Sequence, residues 1–251
     1  MDIIALVPAR MGSSRFPGKP LARILGMPMI EHVYRRTACA NCLKAVYVAT
    51  CDPEIRDAVQ DFGGSVIMTS PTHQRASDRI AEAAEHVSAD VVVMVQGDEP
   101  MLHPEMIDAA VAPFYEDPSV ICTNLAAPIK TETEFFDPNT IKVVMNHKGD
   151  ALYFSRSPIP AVPATGFSSI RAYKQVCIIP FRREALRLYA RLQPTPLEIA
   201  ESIDMLRFLE HGYKVRMVET TVASHAVDTQ EDLKLVEQLL SDDPFTKRYL
   251  N

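Results

Sequence analysis

At 251 residues, 47% apolar and 23% charged, the chain is long enough for one large domain or two small ones and has an ordinary globular composition. Its formal net charge of −6, with no basic and aromatic-laced face, argues against nucleic acid as a partner. No apolar run reaches the ~18 residues of a membrane span. Asp2 leads straight into an apolar run without the basic start and cleavage site of a secretory leader.

Ile3–Val7 is continuously apolar and predicts a buried strand. The ten residues from Arg10 to Lys19 then gather Arg10, Arg15, Lys19, Ser13, Ser14, Gly12 and Gly18. Guanidinium forks match phosphate oxygens, lysine adds a point charge, and glycines let backbone N–H groups approach. The loop has neither Gly-x-x-x-x-Gly-Lys-Ser/Thr nor Gly-x-Gly-x-x-Gly spacing. In an acidic protein it points to a small polyphosphate; the plain alternative is a solvated basic loop.

Pro28–Arg36 puts Ile30, Val33 and Tyr34 on one helical face. Strands follow at Ala45–Ala49 and Ser65–Thr69, separated by a helix that Asp52-Pro53 caps and Gly63-Gly64 ends. Ser77 opens a helix to His86, Val91–Gln96 is a β-branched strand, and Pro104 opens a helix with Ile107 and Val111. This alternation predicts a parallel sheet covered on both faces. Asp98 and Glu99 follow the fourth strand, where open parallel sheets bind ligands. A carboxylate there can hold Mg²⁺ on a nucleotide, or cap the next helix.

The pattern changes near residue 125. Ile141–Met145 and Ala151–Ser155 flank the hairpin signal His147-Lys148-Gly149-Asp150. The apolar run Gln175–Pro180, helices near Arg183–Leu192 and Pro196–Leu209, and a strand at Val215–Val218 come next. Asp228 and Thr229, with Asp232 three residues on, begin a capped last helix. The expected organisation is a single domain, with residues 1–125 as its nucleotide-binding half and 126–251 as its acceptor-binding and dimerisation half. The five cysteines include one Cys39-Ala-Asn-Cys42 pair and the seven histidines lack paired spacing, which predicts reduced thiols and no zinc site.

Pro8-Ala9-Arg10-x-Gly12-Ser13-Ser14-Arg15-x-Pro17-Gly18-Lys19-Pro20-Leu21 resembles the start of the cytidylyltransferases that activate sugar acids. Gln96-Gly97-Asp98-Glu99-Pro100 and Val227-Asp228-Thr229-x-Glu231-Asp232-Leu233 are similar to the CMP-Kdo synthetases in particular. The resemblance covers nearly the whole chain. It implies a Rossmann-like nucleotidyltransferase fold with a mostly parallel α/β sheet and a smaller mixed acceptor region. It also implies a cytoplasmic, Mg²⁺-dependent homodimer that transfers CMP from CTP to the hydroxyl of Kdo or a close 3-deoxy-ulosonic acid for surface glycan or lipopolysaccharide synthesis.

On this resemblance Arg10, Lys19, Asp98 and Asp228 are catalytic, and Asp98 and Asp228 hold the metal. Pro8, Ala9, Arg10, Ser13, Ser14, Arg15, Lys19, Ser70, Asp78, Arg79, Gln96, Gly97 and Asp98 bind the nucleotide. Gln96, Arg156, Gln175, Glu198 and Asp204 bind the acceptor. Arg75-Ala76-Ser77 stands where the family shows Ser-Gly-Thr, beside the base. Gln175, Ile179, Asp204 and Met205 replace a histidine, a tyrosine and a Glu-Gln pair expected to face the sugar. A pocket that hydrogen-bonds hydroxyls discriminates strongly, so these changes point to a modified acceptor such as 8-amino-Kdo, another nonulosonic acid or a phosphonate. A nucleotidyltransferase using another nucleoside triphosphate, or a non-catalytic nucleotide-binding protein, are the competing readings.

Overall fold

The computed structural model describes residues 1–12, 16–222 and 224–250. Ser13, Ser14 and Arg15 of the expected phosphate loop lie outside the described residues. The chain forms two compact units, Met1–Asp108 with Ala223–Asn251, and Ala109–Val222.

The first unit begins with β1 (Ile3–Pro8), a two-stranded ribbon of β2 (Arg23–Ile24) and β3 (Met27–Pro28), and α1 (Met29–Ala38). It continues with β4 (Ala45–Thr50), α2 (Pro53–Asp61), β5 (Val66–Met68), α3 (Ala76–Glu85), β6 (Val91–Val95) and the start of α4 (Pro104–Val111). Parallel pairing gives the strand order β6-β1-β4-β5, with Ile4 opposite Ala45 and Val92. Every residue of β1 and β6 is buried. A strand covered on both faces needs apolar side chains on both, which is why these two read as unbroken runs. Helices α1 and α3 pack on β1, and α2 packs on β4.

The second unit holds α5 (Pro113–Glu116), β7 (Thr123–Pro128), α6 (Glu132–Phe136), β8 (Lys142–Met145), β9 (Ala151–Ser155), β10 (Tyr173–Val176) and β11 (Ile178–Arg182). Helices α7 (Arg183–Arg191), α8 (Pro196–Glu201) and α9 (Met205–Glu210) and strand β12 (Arg216–Glu219) complete it. Its sheet is mixed, in the order β12-β7-β10-β8-β9. β12 runs parallel to β7, and the other pairs are antiparallel.

Three expectations change here. The run Gln175–Pro180 is two strands that part at Cys177. The helix Pro196–Leu209 is α8 and α9, broken where Ser202 takes a left-handed φ of 56°. Strand β7 carried no sequence signal, because Thr-Asn-Leu-Ala-Ala-Pro is neither alternating nor β-branched. Between β12 and β10 it is anchored by polar bonds instead: Thr123 Oγ1 donates to the Ala110 carbonyl and Asn124 Nδ2 to the Val176 carbonyl.

The last helix, α10 (Gln230–Asp242), corrects the division into chain halves. Val227, Val236 and Leu240 are fully buried against Ile24 and Met29, so the C-terminal segment belongs to the nucleotide-binding unit. Arg36 of α1 strengthens this return by pairing with Asp243 at 2.6 Å.

Candidate active site

The carboxyl ends of β1 and β6 lie side by side, and both lead into loops that carry charge. Ala9 extends the β1–β4 pairing by donating to the Ala49 carbonyl at 3.0 Å. Met11 N–H donates to Asp52 Oδ2 at 2.7 Å, and the Met11 carbonyl accepts the Gly18 N–H at 3.2 Å. Both ends of the loop are therefore pinned at a single residue, Met11. Asp52 stands at the N-cap position of α2, but its side chain makes no cap bond and serves this loop instead. Gly18 has a φ of 71°, a left-handed turn that glycine adopts without strain, and it aims Lys19 back across the sheet edge.

Lys19 brings the predicted metal ligands together. Its Nζ donates to Asp98 Oδ2 at 2.7 Å, to the Val227 carbonyl at 2.8 Å and to Asp228 Oδ1 at 3.2 Å. The Asp98 carbonyl in turn accepts the Val227 N–H at 2.9 Å, stitching the C-terminal segment to the end of β6. The reading of Asp228 and Thr229 as the start of the last helix holds. Thr229 and Asp232 form the capping box of α10, and the Asp228 carboxylate is thereby left to face Lys19. The neighbouring Glu99 is buried and accepts a hydrogen bond from Ser224 Oγ.

A cavity of about 290 Å³ opens on this edge. Pro8, Ala9, Arg10, Lys19 and Pro20 form one wall, and Gln96, Gly97 and Asp98 its floor. Gly97 is required by space, since a Cβ there would stand 2.9 Å from the Pro8 carbonyl oxygen. His73, Gln74, Arg75, Ala76 and Arg79 form the opposite wall. Of these, sequence reasoning named only Arg79 as a site residue. Arg75 and Ala76 belong to the segment set against the family's Ser-Gly-Thr beside the base, which was the available signal, and His73 and Gln74 immediately precede it.

The second wall is cross-linked by hydrogen bonds and an ion pair. Arg79 is buried and donates to Thr69 Oγ1 at 2.5 Å. Glu82 accepts the Ser70 N–H through both oxygens and pairs with His73. Burial alone would raise the Glu82 carboxyl, but the Ser70 N–H and His73 outweigh it and hold the group below its ordinary value. Ser70 and Asp78 stand in this wall's scaffold rather than among the residues lining the cavity.

Among the described residues no group of three or more acidic, histidine or cysteine side chains converges as a metal cage. Two carboxylates reaching one cation are nevertheless what Mg²⁺ needs from protein when substrate phosphates and water complete its shell. Asp98 and Asp228 fit that requirement. The five cysteines are free, and burial followed by the neighbouring Asp108 pushes the Cys42 thiol up to about 12.

The expected acceptor residues, Gln96 aside, lie in the second unit. Arg156 is held on three sides: its N–H by Glu201 Oε2 at 2.8 Å, Nε by the Glu201 carbonyl at 2.7 Å and Nη1 by the Pro138 carbonyl at 3.0 Å. Gln175 donates to Asn124 Oδ1 at 2.5 Å. On β10 and β9, the strands that flank β8, Lys174 and Ser155 both pair with Lys142, and Gln175 and Arg156 are the residues that follow each of them.

The expectations for Glu198, Ile179 and Met205 are corrected. Glu198 is 0% exposed, and its two oxygens take Arg207 Nε at 2.8 Å and Nη2 at 2.7 Å. It also closes the capping box of α8, so it is a structural anchor and not a sugar ligand. Ile179 and Met205 are 2% and 0% exposed, because apolar side chains at these positions join the core of their unit instead of lining a pocket. Asp204 is the N-cap residue of α9, and its carbonyl accepts the Tyr189 hydroxyl at 3.4 Å.

Residues 4–217 match the cytidylyltransferase family. The 3-deoxy-manno-octulosonate cytidylyltransferase of Geobacter metallireducens is 48% identical, with 95% of this chain and 98% of that protein aligned. The protein of the same name from Syntrophotalea carbinolica is 48% identical over 94% of this chain and 98% of its own length. A solved CMP:2-keto-3-deoxy-manno-octonic acid synthetase complexed with CTP superposes with a TM-score of 0.90 at 40% identity, covering 96% of this chain and 99% of that one. The fold alone extends further, to 4-diphosphocytidyl-2C-methyl-D-erythritol synthase of Anaerococcus prevotii at 14% identity and a TM-score of 0.63, with 96% and 98% covered. The shared fold, the matched length and the pairing of both motif aspartates on Lys19 place this chain in the 3-deoxy-manno-octulosonate cytidylyltransferase family.

Proposed function

We propose that this protein transfers CMP from CTP to the anomeric hydroxyl of 3-deoxy-manno-octulosonate and releases pyrophosphate. The observation that carries the reading is the meeting of Asp98 and Asp228, which are 130 positions apart in the sequence, on Lys19 in the wall of a cationic cavity. In the reaction the acceptor oxygen bonds to the α-phosphorus as the bond to the pyrophosphate oxygen breaks, and the hydroxyl proton passes to solvent. Arg10 and Lys19 neutralise the triphosphate and the leaving pyrophosphate, with Arg15 expected to join them. His73, Gln74, Arg75 and Ala76 offer a wall for the cytosine. Arg156, preset by Glu201, pairs with the acceptor carboxylate, and Gln175 orients its hydroxyls.

Asp98 and Asp228 would hold Mg²⁺, whose chemistry is to offset charge on the α-phosphate and acidify the acceptor hydroxyl. Rate acceleration rests on positioning and charge, with no covalent enzyme intermediate. A reaction that consumes CTP suits the cytoplasm, and a homodimer suits the exposed Leu152 on β9 and Ile199 on α8. Size-exclusion chromatography with light scattering tests the dimer.

The deciding experiment measures pyrophosphate release from CTP with a panel of 2-keto sugar acids that includes Kdo and 8-amino-Kdo. Turnover highest with Kdo is expected. Preference for the amino analogue would favour the modified-acceptor reading, to which Gln175 still lends support. Turnover with UTP or ATP but not CTP would overturn the reading.

A further inference from the structure

An ammonium carries three protons, and Lys19 Nζ has three oxygen partners within 3.2 Å: Asp98 Oδ2, Asp228 Oδ1 and the Val227 carbonyl. Its donor capacity is therefore filled by protein. Two consequences follow from charge and volume. The ammonium lies in the space between the two carboxylates that a divalent cation would need, and the two cannot share it. While engaged there, it also has no proton to give a phosphate. The Lys19 side chain is 13% exposed, against 29% and 30% for the two aspartates, so the ammonium is the deeper partner.

We infer that Lys19 is the placeholder for the metal ion in the ligand-free protein, and that this makes metal and nucleotide enter together. A free divalent cation must break two ion pairs to reach Asp98 and Asp228, and it leaves the ammonium unpaired. A metal–triphosphate complex supplies both exchanges: the carboxylates turn to the metal, and phosphate oxygens take over the ammonium. The flexible four-carbon stem of lysine permits that swing, whereas a rigid guanidinium fork would not. Coupling of this kind is reciprocal, so each ligand improves the site for the other. Before either arrives, the same contacts keep two like-charged carboxylates at their working positions. The nucleotide half of this inference rests on the proposed function; the competition between ammonium and metal does not.

The test titrates Mn²⁺ into the protein without nucleotide and follows free Mn²⁺ by electron paramagnetic resonance. Wild type, Lys19→Met and Arg10→Met are compared; the last removes one positive charge from the same cavity. Lys19→Met is expected to bind Mn²⁺ at least ten times more tightly than wild type, and clearly more tightly than Arg10→Met. Added CTP should then strengthen Mn²⁺ binding far more in wild type than in Lys19→Met. Lys19→Gln keeps amide protons for the carboxylates and serves if the methionine variant does not fold. Lys19 variants no tighter than wild type, or a gain equalled by Arg10→Met, would overturn the placeholder role. Failure of wild type to bind CTP at all would instead remove the proposed function, while the metal-only comparison would still be readable.

Discussion

Met11 and Asp52, at the ends of neighbouring parallel strands, are joined by a backbone-to-carboxylate hydrogen bond of 2.7 Å. That bond fixes the start of the loop that delivers Lys19, and its acceptor is charged. Hydrogen bonds to charged groups contribute about 1.5–3 kcal/mol, and about 1.4 kcal/mol is a factor of ten in an equilibrium constant. Asp52→Ala is expected to raise KM for CTP about tenfold while leaving KM for the acceptor nearly unchanged. Asp52→Asn retains an oxygen acceptor and should recover most of the loss. Equal KM for CTP in wild type and Asp52→Ala would remove this role.

Gly97 stands against the Pro8 carbonyl, 2.9 Å from where a Cβ would be. Both strand ends are buried, so the clash cannot be relieved by a swing into solvent. Gly97→Ala should destabilise the protein by about 1–3 kcal/mol, as small-to-large changes in packed regions do. Thermal unfolding will show a lowered Tm, and calorimetric titration with CTP should show weakened binding in the folded fraction.

Glu198 and Arg207 form a buried pair, 1% and 3% exposed at their side chains. Removing one member of such a pair leaves an uncompensated charge and costs about 3–5 kcal/mol. Urea unfolding of Glu198→Ala is expected to show that loss. Acceptor KM in the protein that remains folded should be close to wild type. A large KM increase with unchanged stability would return Glu198 to the sugar site.

Glu82 gives the site an acid limit. Its folded-state value lies below the ordinary carboxylate value, because the Ser70 N–H and His73 together outweigh burial. Between the two values the unfolded chain binds more protons than the folded one, so stability rises with pH through that window. The contribution is complete above the ordinary glutamate value and is lost as pH falls through the depressed folded value. Glu82→Gln should flatten the acid limb of a stability-versus-pH curve measured by urea denaturation.

Much of the first unit was legible because parallel strands covered on both faces must be apolar throughout, and Ile3–Val7 and Val91–Val95 leave little else to be. The pairing of Asp98 with Asp228 was legible only through motif resemblance. Nothing local in Asp228-Thr229 goes beyond a helix start, and in the structure Thr229 caps α10 while Asp228 faces Lys19. The second unit was harder to read for a physical reason. Strand β7 owes its place to buried hydrogen bonds from Thr123 and Asn124, which leave no periodic trace. Glu198 looked like a polar pocket residue until Arg207, nine positions on, was seen to neutralise it in the core.

The return of residues 224–250 to the first unit sets an order on synthesis. In a chain leaving the ribosome Arg10 and Lys19 are among the first residues made. It lacks the Val227 carbonyl and the Asp228 carboxylate until the whole intervening unit has been translated. Lys19 is therefore made long before the tail that supplies two of its three partners, and those contacts form only after the last tenth of the chain has been synthesised.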